Sequence, residues 1–198
     1  MDRNFMIEVL ILDANKINDK QAILLAETLL VTSNRSLRVL SLGQNLITDV
    51  GVKIISEMLD INSTSIRELR LHWNHITAKG GQSLAEALRT NRHLKVLNLG
   101  WNSCGLGVGY TPGQIGKIWD QAFIDNKTLM HLDLSFNKFT FQDTEVMALG
   151  LRKNHTIHGL HFEGNEGRID SLGFLNAFHA KNNSPKNGDQ LFPAIGGN

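Results

Sequence analysis

The sequence predicts a curved α/β solenoid of about six stacked coils, and three observations predict it. An asparagine recurs at Asn15, Asn45, Asn74, Asn102, Asn137 and Asn165, at separations of 30, 29, 28, 35 and 28 residues. Each is preceded by apolar residues at fixed offsets. Each is followed by a stretch whose apolar residues keep a helical period. Self-similarity at such a period marks stacked strand–helix units, none of which can bury its apolar face alone.

The coils follow in order. Ile7, Leu10 and Leu12 lead to Asn15 and Ile17, and a helix from Asp19 to about Thr32 carries Ala22, Leu25, Ala26, Leu29 and Leu30. Leu37, Leu40 and Leu42 precede Asn45 and Ile47; Thr48 or Asp49 is placed to cap a helix bearing Ile55, Met58 and Leu59. The third coil, Ile66-Arg67-Glu68-Leu69-Arg70-Leu71-His72-Trp73-Asn74-His75-Ile76, shows the unit most fully. Thr77 should cap its helix, which Gly80 and Gly81 should shorten. In the fourth, Leu94, Leu97, Leu99 and Asn102 are followed by seven extra residues within the glycine-rich run Ser103 to Pro112. Periodicity resumes at Ile115, Ile118, Trp119, Ala122 and Phe123. The fifth has Leu129, Leu132, Leu134, Asn137 and Phe139, with helical Val146, Leu149 and Gly150. The sixth has Ile157, Leu160, Phe162 and Asn165, then Leu172, Leu175 and Phe174 or Phe178 in its second half. The array is expected over residues 1–183, and an irregular tail or linker over 184–198.

Strand alternation sends Leu69 and Leu71 to one face and Glu68, Arg70 and His72 to the other. An anchor asparagine at the strand exit should bond to backbone groups of the adjoining coil, since a buried amide left unpaired costs about 1–3 kcal/mol. Helices are wider than strands, so the stack should curve with its parallel sheet inside. The pattern L-x-x-L-x-L-x-x-N-x-[I/L], the T-[D/A]-x-G that follows at Thr48–Gly51 and Thr77–Gly80, and helices ending in asparagine together resemble leucine-rich repeat proteins of the ribonuclease-inhibitor-like subclass. The resemblance covers Ile7 to Asn183 and implies a horseshoe with an inner parallel β-sheet and outer helices. It also implies a binding scaffold: members include nuclease inhibitors, innate immune sensor modules, actin-capping modules, Ran GTPase-activating proteins and ciliary components. A departure is the lack of a polar cap at either end, which suggests part of a longer chain or an oligomer that covers one end.

Composition narrows the partner. Twenty basic and 19 acidic residues give a net charge of +1, which argues against nucleic acid or an anionic membrane as main partner. A single cysteine, Cys104, favours a reducing, cytoplasmic setting. Met1 to Ile7 is too short and too charged for a signal sequence, and no apolar run is long enough to span a membrane.

The candidate site is the exposed face of the sheet, which should take a protein partner. Between the strand leucines lie Ile11, Ser41, Arg70, Asn98, Asp133 and His161. The next outward column is Asp13, Gly43, His72, Gly100, Ser135 and Glu163. One position later come Ala14, Gln44, Trp73, Trp101, Phe136 and Gly164. With strands about 4.8 Å apart, Trp73, Trp101 and Phe136 should form a ladder flanked by polar groups, as an interface hot spot requires. The alternative is that the rings only stabilise the stack. Arg70, Asn98 and Asp133 run from basic to acidic and would favour a partner segment of opposite order, with His161 and Glu163 adding specificity. Tyr110, in an insertion read as a flexible lip beside Trp101, is the remaining contact residue; the alternative is that the segment is only a tolerated surface insertion.

Other chemistries fit less well. Gly105, Gly107 and Gly109 fail the dinucleotide pattern, whose third glycine would fall at Tyr110, and no G-K-[S/T] is present, so no cofactor is expected. His158 and His161 should point to opposite sides, His72 and His75 straddle a strand exit, and no repeated Cys/His spacing suggests a metal. His131, Asp133 and Ser135 lie on an open, wet face, so no catalytic residue is expected. Triplets beginning at Asn34, Asn62, Asn126 and Asn154 are better explained by helix termination than by glycosylation. The reading is a non-catalytic interaction scaffold. A GTPase-activating scaffold of the Ran type, discriminated by phosphate release, and a ciliary or cytoskeletal part, discriminated by co-sedimentation, are the alternatives.

Overall fold

The computed structural model describes residues 7–31, 36–60 and 65–178. Strands and helices alternate as β1 (Val9–Ile11), α1 (Asp19–Val31), β2 (Val39–Ser41), α2 (Asp49–Asp60), β3 (Glu68–Arg70), α3 (Ala78–Thr90), β4 (Val96–Asn98), α4 (Gln114–Asp125), β5 (His131–Asp133), α5 (Phe141–Leu151) and β6 (Gly159–His161). A hairpin of β7 (Gly167–Ile169) and β8 (Leu175–Ala177) follows. Strands β1 to β6 pair in parallel and in chain order. Their register aligns Leu10, Leu40, Leu69, Leu97, Leu132 and Leu160 in one file. The inner four are buried and the outer two only partly so, because the end coils have a neighbour on one side. This is the predicted α/β solenoid.

The asparagines form the spine that holds the coils in register. Asn74 Oδ1 accepts from the Ile47 N–H at 3.0 Å, while its Nδ2 donates to the Leu42 and Leu71 carbonyls at 2.9 and 3.0 Å. Asn45, Asn102, Asn137 and Asn165 likewise tie their own turn to the coil before. Asn15 has no such coil among the described residues; it is exposed and donates to its own neighbour's carbonyl, Asp13 O. A second file closes the helix ends. Asn126 Nδ2 donates to Leu88 O at 2.6 Å and its Oδ1 accepts from Thr128 and Leu129, with Asn91 and Asn154 in equivalent roles. Asn126 and Asn154 are both 2% exposed, which leaves no room for a glycan; Asn34 and Asn62 lie outside the described residues.

Three local expectations are corrected. First, α3 has 13 residues, as many as α1, despite its glycines. They sit where the helix start meets other coils: a Cβ on Gly80 would lie 2.6 Å from Asp49 Oδ1, and one on Gly81 would lie 3.0 Å from Cys104 Cβ. Second, Thr77 makes no side-chain cap bond. The cap comes from the previous coil, where Asp49 Oδ1 accepts from Thr77 N and Gly80 N at 2.7 and 3.0 Å and Asp49 Oδ2 accepts from Thr77 Oγ1. Asp19 does the same for Thr48 and Gly51. Asp49→Ala is expected to cost about 1–2 kcal/mol, the upper range for an N-cap, in chemical denaturation; no change would show the strap to be idle.

Val146, Leu149 and Gly150 are helical as expected, within α5, which buries Thr144, Met147, Ala148, Gly150 and Leu151 while Leu149 is exposed and Val146 half-buried. Leu149 lies two positions past Met147, on the opposite side of a 3.6-residue turn. Third, the second half of the sixth coil is the β7–β8 hairpin, with no helix there among the described residues. Asp170 Oδ1 accepts from Leu172 N and Phe174 N, and Gly173 takes φ 76°, so the chain reverses where a helix would have continued. The hairpin packs on α5 and covers that end of the stack. The expected tail at 184–198 lies outside the described residues.

Candidate functional site

Every described strand exit follows one plan. The residue before the anchor asparagine adopts a left-handed backbone in all six coils: Ala14, Gln44, Trp73, Trp101, Phe136 and Gly164, with φ between 53° and 77°. Its N–H bonds to the next coil, as from Trp73 to Gly100 O at 2.9 Å, Trp101 to Ser135 O at 2.9 Å and Phe136 to Glu163 O at 2.7 Å. These bonds bring the rings into file. Trp73 and Trp101 stack with centroids 4.3 Å apart and planes 9° from parallel. Trp101 and Phe136 stack at 3.9 Å and 15°. Phe136 lies over Gly164, where a Cβ would approach its ring to 2.3 Å, so the file ends there. The three rings remain 50%, 43% and 39% exposed.

Beside the ladder, polar groups are largely engaged with their own turns. Arg70 is paired with Glu68, two residues earlier on the same face, through Nε and Nη2 to Oε1 at 2.5 Å, so its charge is locally balanced. That pair weakens the expected basic-to-acidic order of the column. Asn98 accepts from Gly100 N at 3.0 Å, and Asp133 Oδ1 accepts from the Ser135 N–H at 2.9 Å and its hydroxyl at 2.6 Å. His72 lies across Gly43, where a Cβ would meet the ring at 2.2 Å, and its buried Nδ1 has no partner. His161 is exposed and packs against His131 at 4.9 Å; Glu163 is exposed at the rim.

The insertion is pinned rather than loose. Gly105 N–H donates to Asn137 O, Leu106 O accepts from Ala78 N, and the Tyr110 hydroxyl donates to Gln82 Oε1 at 2.7 Å. Tyr110 therefore turns onto α3, and no described contact joins it to the ladder. Burial, with help from the Asp49 and Glu86 carboxylates, pushes its phenol up. Burial likewise raises the Cys104 thiol far above its ordinary range, with Asp49 adding to the effect. Among the described residues no group of three or more His, Cys, Asp or Glu side chains could hold a metal ion, and no helix is long and apolar enough to cross a membrane. Of the ten residues expected to bind, nine share the concave face and its exit rim. The sequence placed Gln44 and Gly164 in the exit column and Glu68 on the exposed face, but did not foresee the Glu68–Arg70 ion pair or the seat that Gly164 gives Phe136.

Comparison with known proteins agrees with this geometry. The Leucine Rich repeat family matches residues 33–56, 62–85, 90–103 and 125–140. The chain is a leucine-rich repeat protein. It is 35% identical over 153 residues to mouse "NACHT, LRR and PYD domains-containing protein 9C", covering 77% of this chain and 14% of that one. It is 43% identical over 76 residues to human "NACHT, LRR and PYD domains-containing protein 5", covering 38% of this chain and 6% of that one. The chain thus spans only a small part of these relatives' length. The solved structure of "Leiomodin-1 Actin-Binding Site 2 (ABS2)" shares the fold with a TM-score of 0.57 at 21% identity, covering 76% of this chain and 82% of that one.

Proposed function

We propose that this chain is a non-catalytic interaction scaffold that takes a protein partner on the concave face of its sheet, anchored by Trp73, Trp101 and Phe136. The observation that carries this reading is a continuous file of three aromatic rings, each 39–50% exposed, held in place by backbone bonds between coils. Preorganised aromatic area loses little entropy on binding, which is why such groups dominate interface energetics. His161, Glu163 and Asp133 would supply selectivity on the same face. Full helices on the convex side and separations of 28–30 residues in most coils favour the ribonuclease-inhibitor-like subclass. The lone buried Cys104 and the small net charge favour a reducing compartment and a polypeptide partner.

The test is affinity capture from native cell extract with Trp73→Ala/Trp101→Ala as control. The variant should keep its circular dichroism and lose the captured protein; retained capture would overturn the reading, and loss of fold would show that the rings serve the stack. The leiomodin segment is named for actin binding, so co-sedimentation with actin filaments belongs beside that experiment. Pelleting that depends on the two tryptophans would identify a cytoskeletal partner.

A further inference from the structure

A second surface lies on the opposite rim, where the strands begin. The residue immediately before each strand is, in order, Glu8, Arg38, Arg67, Lys95, Met130 and His158. The register of this file is fixed by paired backbone bonds. Arg38 O accepts from Arg67 N and Glu68 N at 2.8 and 3.0 Å, and Arg67 O accepts from Lys95 N and Val96 N at 2.7 and 2.9 Å. Lys95 O accepts from Met130 N and His131 N in the same way. Three consecutive coils therefore present Arg38, Arg67 and Lys95 side by side, at the strand spacing of about 4.8 Å.

The three cations have no carboxylate partner among the described residues. Arg67 is exposed and Arg38 and Lys95 are half-buried, with Arg38 Nη1 steadied by Ser65 O at 3.2 Å. Glu68, which directly follows Arg67, is engaged with Arg70. Glu8, at the open end of the file, makes no ion pair with Arg38. A parallel row of exposed Arg92, Lys127 and His155 lies in the loops that follow the helices. In a chain of net charge +1, this is a local concentration of positive charge, and each neighbouring pair in the row lies within a Debye length of about 8 Å, so their fields reinforce one another.

We propose that this rim binds an acidic polypeptide segment, independently of the aromatic ladder. A linear row of unpaired cations, spaced as strands are, suits an extended chain with repeated Asp or Glu. Nucleic acid fits less well, because the exposed rings on which bases would stack lie on the far rim. An anionic membrane fits less well too, because Met130 is the single apolar side chain in the file, too little to insert into a bilayer.

The test uses fluorescein-labelled poly-glutamate and fluorescence anisotropy with the whole chain. The wild type should bind at low ionic strength and weaken steeply with salt. Arg38→Glu/Arg67→Glu/Lys95→Glu should weaken binding by about tenfold or more, and Trp73→Ala/Trp101→Ala should leave it unchanged. Because charge reversal could disturb the fold, Arg67→Gln/Lys95→Gln is run in parallel and should show an intermediate loss. Undiminished binding in the folded reversal variant, tighter binding to oligo-thymidine or to phosphatidylserine vesicles, or loss on removing the tryptophans would each overturn the proposal. Failure of the ladder experiment alone would leave this result standing, because the two surfaces share no residue.

Discussion

Replacing Asn137 by alanine is expected to remove about 3 kcal/mol of stability, read as a lower urea midpoint at unchanged slope. Asn137 is fully buried. Its Oδ1 accepts from Cys104 N at 3.0 Å, and its Nδ2 donates to Leu99 O at 2.8 Å and Ser135 O at 3.0 Å. Truncation strands the Cys104 N–H in a dry interior at about 1–3 kcal/mol and removes two further bonds of about 1 kcal/mol each, offset in part by relaxation. Asn15→Ala at the exposed end, where the amide donates only to Asp13 O, should cost about 0.5 kcal/mol or less. Equal losses at the two positions would refute the view that the file of asparagines works by joining coils.

A similarly large loss, about 3 kcal/mol, is expected of Gly105→Ala. The added Cβ would lie 2.4 Å from Phe139 N, 2.5 Å from Phe139 Cα and 2.6 Å from Lys138 C. All three atoms are backbone, so no rotamer change relieves the clash, and the inserted segment must lift off the fifth coil. That movement also endangers the bond from Gly105 N to Asn137 O. Gly109, at φ 87° with nothing within 4 Å of its Cβ position, is the control. Its replacement by alanine should cost only about 1 kcal/mol, the strain of a left-handed alanine. Should the two substitutions rank the other way in thermal denaturation, the insertion would be shown to hang free.

The solenoid was legible because its leucine and asparagine positions recur with the coil. A column read down the repeats becomes a row in space, so the ladder of Trp73, Trp101 and Phe136 followed from sequence alone. Contacts that cross coils through side chains did not. The strap from Asp49 to Thr77 joins residues 28 apart, and local capping rules point instead to the threonine's own hydroxyl. The β7–β8 hairpin was missed because Leu172 and Leu175 keep the i, i+3 spacing of a helix, and the Asp170 turn that reverses the chain between the two strands was not recognised. The Glu68–Arg70 pair escaped notice because Glu68, though placed on the exposed face, lies just outside the three columns followed. Arg38, Arg67 and Lys95 escaped for the same reason: they precede the strands.

The left-handed turn beneath each ring has a consequence for how freely this surface can change. Holding a bulky L-residue in that conformation costs roughly 1–2 kcal/mol, and stacking against a neighbouring ring returns roughly 0.5–1.5 kcal/mol. For the isolated chain the rings are close to energetically neutral. Glycine there would ease the turn and surrender the grip, leaving the leucine interior untouched. The solenoid can therefore be retuned from one target to another along its exit edge without rebuilding what keeps it folded.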